Sequence, residues 1–328
     1  MKILKAMCAA AVALSLVGCA QTSNSDKELT KVTLMLDYTP NTNHTGFYVA
    51  KNKGYYKEAG LDVDIIEPGD NATTSMVAAG KADFGISYQE DVTYALTSED
   101  PLPIKTIATI IQHNTSGFVS LKSANINSVM DFEGKTYAGW GAPSEEAVMN
   151  EAGADFSKLN IVGSDGSGIA GLSDEVGKNK VNLGWEFYGW AIIKALQDGY
   201  DLNYMPLADL DNRLDYYTPV IITNKKMIKK NSDTVKKFME ATKKGYEYAI
   251  DHPSKAAEIL HEDALSDTDL KFLKESQKYL SSQYAKDADS WGVMKDSVWD
   301  NYTDFMYETG LISQKIDAKD QYTNEFVK

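Results

Sequence analysis

Asp37-Tyr38-Thr39-Pro40-Asn41-Thr42-Asn43-His44-Thr45-Gly46 concentrates hydrogen-bonding side chains, a proline and a glycine between two strongly patterned segments. Before it, Val32 to Leu36 reads as a buried strand. After it, Phe47 to Ala50 opens an amphipathic helix expected to run to Gly60. In open α/β sheets, ligands bind beyond the carboxyl ends of strands, where strand ends and helix starts leave backbone groups facing a crevice. Asp37, Asn41 and His44 are therefore candidate ligand contacts, with Tyr38 as a stacking wall. The same residues also suit an ordinary turn, with Thr45 or Asn43 capping the helix that follows.

Outward from this stretch the chain alternates strand-like and helix-like patterns. The series is Leu61 to Glu67, Asn71 to Gly80, Phe84 to Tyr88, Glu90 to Leu96 and Ile104 to Gln112, an α/β rhythm with mostly parallel pairing expected. A second set begins near Gly117: strands at 118–121, 135–140, 159–162 and 181–187, and helices from Ser144 and from Gly189. Beyond a strand at 217–223, helical spacing dominates nearly to the end. The expected architecture is two α/β lobes, residues 31–113 with 224–328 and residues 114–223, joined by crossing segments at 112–119 and 216–223. A cleft between lobes is a usual place for a small ligand.

Composition narrows the function. The 328 residues carry a net charge of −14, which repels nucleic acid and anionic membrane as general partners. Arg213 is the only arginine, so a bidentate clamp on an anionic ligand is disfavoured. His44, His113, His252 and His261 lack zinc-site spacing, Asp209, Asp211 and Asp215 do not follow a calcium loop, and neither a nucleophile elbow nor a P-loop occurs. No catalytic residue, metal or cofactor is expected.

The amino terminus has the charged start and short apolar run of a secretion signal, residues 1–18. Leu16-Val17-Gly18-Cys19 resembles the bacterial lipobox, which would leave Cys19 carrying lipid and residues 19–30 as a tether. The alternative is a plain secretion signal ending near a chance cysteine. Cys8 would be removed with the signal, so no disulfide is available. The expected location is the extracytoplasmic face of the cell membrane, as a lipid-anchored monomer.

Trp185-Glu186-Phe187-Tyr188-Gly189-Trp190 sets aromatics and one carboxylate at a strand-to-helix junction, suited to a flat heterocycle: rings stack, and a carboxylate accepts from an exocyclic amine. Alone, these residues equally suit a core patch with Glu186 on the surface. With the opening stretch, Gly80 to Glu90 and Leu214 to Pro219, this segment is similar to the substrate-binding lipoproteins of bacterial ABC importers for thiamin-pyrimidine precursors, over about Val32 to Tyr284. The resemblance implies a type II periplasmic-binding-protein fold closing on an aminopyrimidine, with a permease and ATPase as partners. It favours ligand contact by Trp185, Glu186 or Tyr188, with Tyr88, Glu90, Trp140, Ser144 and Tyr217 as secondary candidates. Riboflavin, sulfonate or nitrate are the alternative cargoes.

Fungal pyrimidine synthases share this family. They carry a lysine and a histidine in the segment matching Gly85 to Asp91 and a cysteine cluster before the segment matching Tyr217 to Thr223, and neither is present here. Gly166-Ser167-Gly168-Ile169-Ala170-Gly171 formally matches a dinucleotide loop, against which a binding-lobe loop is the preferred reading.

Overall fold

Ten strands form two five-stranded sheets in the computed structural model of the chain, which describes residues 28–69, 71–177 and 180–328. The secretion signal, Cys8, Cys19 and most of the tether lie outside the described residues. The first sheet holds β1 (Thr30–Met35), β2 (Leu61–Ile66), β3 (Phe84–Ser87), β4 (Ile104–Thr109) and β10 (Val220–Asn224). The second holds β5 (Ser116–Leu121), β6 (Thr136–Gly139), β7 (Asn160–Gly163), β8 (Leu183–Phe187) and β9 (Leu202–Pro206). Strand orders are β2-β1-β3-β10-β4 and β7-β6-β8-β5-β9.

Pairing is mixed rather than mostly parallel. β1 runs parallel to β2 and β3, and β6 parallel to β7 and β8. β10 lies antiparallel between β3 and β4, and β5 antiparallel between β8 and β9. β5 and β10 are the strands that receive the chain as it changes sheets, and each runs opposite to its two neighbours. β9 was not legible in the sequence: it is a half-buried edge strand ending at Pro206, with no apolar alternation to mark it.

Local chemistry adjusts the helix boundaries. The first helix spans Thr45–Asn52 rather than reaching Gly60, because Gly54 takes φ 78° and starts a separate turn at Tyr55–Glu58. Neither Thr45 nor Asn43 caps it. Asn41 caps a 3-10 turn, Thr42–His44, that precedes it, accepting from the Asn43 N–H at 3.0 Å, while the Thr45 hydroxyl donates back to the Thr42 carbonyl. After β7, the glycine-rich loop forms only a four-residue 3-10 turn, Gly168–Gly171, so no helix exists there to hold a pyrophosphate.

The Ser232–Asp251 helix covers the first sheet with Val235, Phe238, Met239 and Tyr246 at helical spacing, and the Phe238 ring stacks on Phe84 at 3.8 Å. In the second sheet Phe118 meets Phe132, Tyr137 and Trp185 edge-on. The Asp296–Glu308 helix serves both cores: Trp299 packs with Tyr217 and Val220, whereas Tyr302, Phe305 and Met306 join the cluster around Phe118. The chain passes between sheets after Thr109 and returns before Val220. The Asp215 carboxylate ties these passages, accepting from the Asn114 N–H at 2.8 Å and lying 2.6 Å from His113 Nδ1.

Gly46 and Gly245 let the Thr45–Asn52 and Ser232–Asp251 helices touch. A Cβ on Gly245 would run into the Gly46 carbonyl, and one on Gly46 into the Tyr246 ring. Gly245→Ala should therefore lower unfolding free energy by about 1–3 kcal/mol in urea titration, against its helix propensity. Gly163→Ala, which meets open space, should change it by less than about 0.5 kcal/mol.

Candidate functional site

The opening stretch folds into a hydrogen-bonded turn beyond the end of β1. Asn41 is committed to it: its side chain accepts from Asn43 and donates to the Thr39 carbonyl at 3.1 Å. Its backbone N–H donates to His44 Nδ1 at 3.2 Å. A nitrogen that accepts carries no proton, so the imidazole proton sits on Nε2 and is donated to Asp37 Oδ1 at 2.7 Å. His44 is fully buried, which makes it a support for Asp37 rather than a group facing solvent. Asp37 Oδ2 also accepts from the Tyr88 hydroxyl at 2.7 Å, joining the ends of β1 and β3. Burial works to raise the Asp37 carboxyl, but the imidazole and the hydrogen bonds from His44 and Tyr88 outweigh it and hold it below the usual range. Tyr38, beside this fixed carboxylate, is 66% exposed.

The second sheet supplies aromatic groups at the ends of β6 and β8. Trp140, 51% exposed, lies 5.2 Å from the ring of buried Trp185, whose indole N–H has no partner among the described residues. The loop bearing Trp140 is held by Glu145, which accepts from the backbone N–H groups of Trp140, Gly141 and Ala142 and from the Tyr137 hydroxyl. Glu145 was missed in the sequence, although Pro143-Ser144-Glu145 has the proline and early acid of a helix start. Burial pushes the Glu186 carboxyl up to about 7, and among the described residues no side chain is hydrogen-bonded to it.

The two halves meet on helices from the carboxyl-terminal third. Ser276 of the Leu270–Ser281 helix donates to the Gly189 carbonyl, so the Thr42 hydroxyl, 2.6 Å away, must donate to Ser276. On the same helix Tyr279 packs against Tyr188 at 4.7 Å, and Leu280 lies where a Cβ on Gly189 would be. Tyr188 opens a π-turn, Tyr188–Ile192, a geometry frequent at functional sites. Nothing in the sequence marks Ser276 for this role. Glu90 of the Gln89–Thr97 helix accepts from Tyr302 at 2.8 Å with the buried Ser144 hydroxyl beside it, and burial raises its carboxyl.

Asp91, next in sequence, was also missed. It remains open to solvent, yet its enclosure and the charge on Asp37 push its carboxyl up to about 6. Tyr217 is not part of this arrangement. It is 1% exposed, accepts from the Lys295 N–H at 2.9 Å and packs in the core. Arg213 is committed elsewhere, to Glu151, Asp211 and Glu308. Among the described residues, no group of three His, Cys, Asp or Glu side chains is placed to hold a metal ion. Among the described residues, the arrangement offers aromatic faces and carboxyl groups without a cation beside them, which suits a flat ligand rich in N–H donors.

Residues 41–256 match the family described as NMT1/THI5 like. The chain is 30% identical over 263 residues to a formylaminopyrimidine-binding protein of Halalkalibacterium halodurans, covering 75% of each chain. It is 26% identical to the 4-amino-5-hydroxymethyl-2-methylpyrimidine phosphate synthase THI13 of Saccharomyces cerevisiae, covering 90% of this chain and 88% of that one. The periplasmic nitrate-binding protein NrtA of Synechocystis superposes with a TM-score of 0.69 at 12% identity, over 92% of this chain and 88% of that one. The fold is that of the periplasmic binding proteins.

The unpartnered carboxyl groups give stability a pH signature. Glu186 titrates at about 7 when folded against an ordinary 4.5, so between those values the folded chain holds a proton that the unfolded chain releases. Its contribution is full below the lower value and is lost as pH rises through the upper one. Asp91 is raised to about 6 but is exposed, so solvent screens it and it adds little to this signature. The melting temperature of the ligand-free chain should fall across this window as pH rises, and Glu186→Gln should flatten that slope. An unchanged slope would place Glu186 in solvent.

Proposed function

Because this chain belongs to the NMT1/THI5-like family, we propose that it is the solute-binding component of an ABC importer, capturing a thiamin-related aminopyrimidine of the formylaminopyrimidine or hydroxymethylpyrimidine kind and passing it to a permease served by an ATPase. The observation that carries the cargo is a pair of tryptophan rings 5.2 Å apart, Trp140 and Trp185, at the ends of β6 and β8, with the Glu186 carboxyl, poised near neutrality, one residue further along β8 on its other face. A carboxylate accepts from an exocyclic amine, and a protonated carboxyl donates to a ring nitrogen, so Glu186 matches either edge of an aminopyrimidine. The relative that binds formylaminopyrimidine supports this reading.

The lobes are residues 31–113 with 224–328, and 114–223. Asp37, Tyr38 and Tyr88 form one wall and Trp140, Trp185, Glu186 and Tyr188 the other, with Asn41 and His44 fixing Asp37. Glu90 and Ser144 meet at the rim. Binding favours the state in which both walls engage the ligand. No bond is made or broken, and the chain works as a monomer. The lysine, histidine and cysteines carried by the fungal synthases in the matching segments are missing here, which supports capture over synthesis. Residues 1–18 are the secretion signal, and lipid on Cys19 holds the protein at the extracytoplasmic face. Among the described residues, no helix is long and apolar enough to cross a membrane.

Calorimetry should show binding of formylaminopyrimidine or hydroxymethylpyrimidine. Binding of nitrate or a sulfonate in their place would overturn the assignment. Glu186→Ala should weaken binding by about 1.5–3 kcal/mol without lowering the melting temperature at neutral pH, as expected for a lost hydrogen bond to a charged group. Trp299→Ala should cost about 3–5 kcal/mol of stability and leave the affinity of the folded protein unchanged.

A further inference from the structure

The densest basic stretch in this acidic chain is Lys225 to Lys237, with six lysines and one aspartate in thirteen residues. Four of the lysines, Lys225, Lys226, Lys229 and Lys230, occupy a single six-residue helix, and all four are exposed. The aspartate, Asp233, is taken by Lys237 at 2.6 Å. The short helix leaves the end of β10 and is anchored by Asn224, which accepts from the Lys226 N–H and donates to the carbonyls of Val77 and Ala78.

Strand direction places this helix at a definite end of the molecule. β10 is antiparallel to β3, and β3 is parallel to β1, so the carboxyl end of β10 and the amino end of β1 lie at the same edge of the sheet. The tether therefore enters the fold, at Thr30, on the side where the lysines emerge. The candidate site lies at the opposite edge, about 20 Å away along six strand residues. Beside the helix, Lys105, Lys225, Lys319 and Lys328 line a cavity of about 540 Å³. Burial and the neighbouring Lys225 hold the Lys105 ammonium below its usual range, with Asp320 opposing. The acidic groups lining the cavity are Asp296, which accepts from Tyr322 at 2.5 Å, and Glu325, with Asp320 near Lys105. Exposed Glu99 and Asp100 stand just before β4 at the same end of the sheet. Asp317 is paired with Lys319 at 2.6 Å.

Resting on the lipid-anchored reading above, we propose that between deliveries to the permease this lysine-rich end of the first sheet docks on the anionic phospholipid headgroups of the membrane to which the tether leads, turning the ligand cleft outward for capture. The overall charge of −14 does not prevent this. At about 0.1 M salt only charges within about 10 Å of the headgroups contribute, and the carboxyl groups of the cleft lie beyond that range.

The test is flotation of the full chain with phosphatidylcholine vesicles and with vesicles that also contain phosphatidylglycerol. Any acyl anchor contributes equally to both, so the excess on the anionic vesicles is the readout. That excess should be about tenfold at low salt and should vanish at high salt. The combined variant Lys225→Glu, Lys226→Glu, Lys229→Glu, Lys230→Glu should abolish it, and the corresponding glutamine variant should reduce it, both with unchanged melting and unchanged pyrimidine binding. Equal flotation on both vesicles would overturn the proposal, as would an excess that survives the substitutions. Lysine-dependent binding of inorganic phosphate without a vesicle excess would also overturn it, identifying a site for free anions. A failure of pyrimidine binding leaves this readout untouched.

Discussion

A buried chain of three groups, the Thr42 hydroxyl, the Ser276 hydroxyl and the Gly189 carbonyl, joins the polar turn of one sheet to the aromatic segment of the other. Each segment alone is ordinary: one is a capped turn, the other a strand running into a helix. The Leu270–Ser281 helix makes them neighbours, because it packs against both with Ser276, Tyr279 and Leu280. Buried hydroxyls without partners are costly, so the chain also fixes where the two segments meet. The absence of a side chain at Gly189 lets Leu280 approach.

Within the site the charges are sorted. The Asp37 carboxyl is held below its usual range by His44 and Tyr88, whereas Glu186 and Asp91 are pushed upward with no cation beside them among the described residues. Arg213, the one residue suited to clamping an anion, is spent on three carboxylates at the edge of the second sheet. This separates the cleft chemically from that of an anion binder of the same fold, where the cargo would need donors or cations. The basic groups gather instead at the far end of the first sheet, around Lys225 to Lys230.

Much of this was legible in the chain order. The α/β alternation, the polar stretch at a strand end and the aromatic segment at a second strand end are local patterns, and each sits where it was expected. Roles within the patterns were harder to read. Asn41 and His44 carry the polarity of ligand contacts but use it on the turn, since Asn41 N–H meets Nδ1 and Asp37 meets Nε2. Tyr217 went to the core because the Asp296–Glu308 helix covers it with Trp299. Asp91 and Glu145 were passed over because an acid at a helix start is usually only a cap, and Glu145 does cap, in the course of which it also positions Trp140.

The sequence by itself determined the class of fold, the two candidate segments and the shortage of cationic groups for an anionic ligand, because periodicity, turn residues and composition are properties of short stretches. Tertiary structure decided which polar groups remain free to meet a ligand, because partners such as Asp37 and Tyr88 or Thr42 and Ser276 lie 51 and 234 residues apart. It also decided the mixed pairing of the sheets and the shared edge of Thr30 and Lys225, since strand direction depends on how the chain returns from the second sheet. Proximity across such separations is set by packing, and no local pattern encodes it.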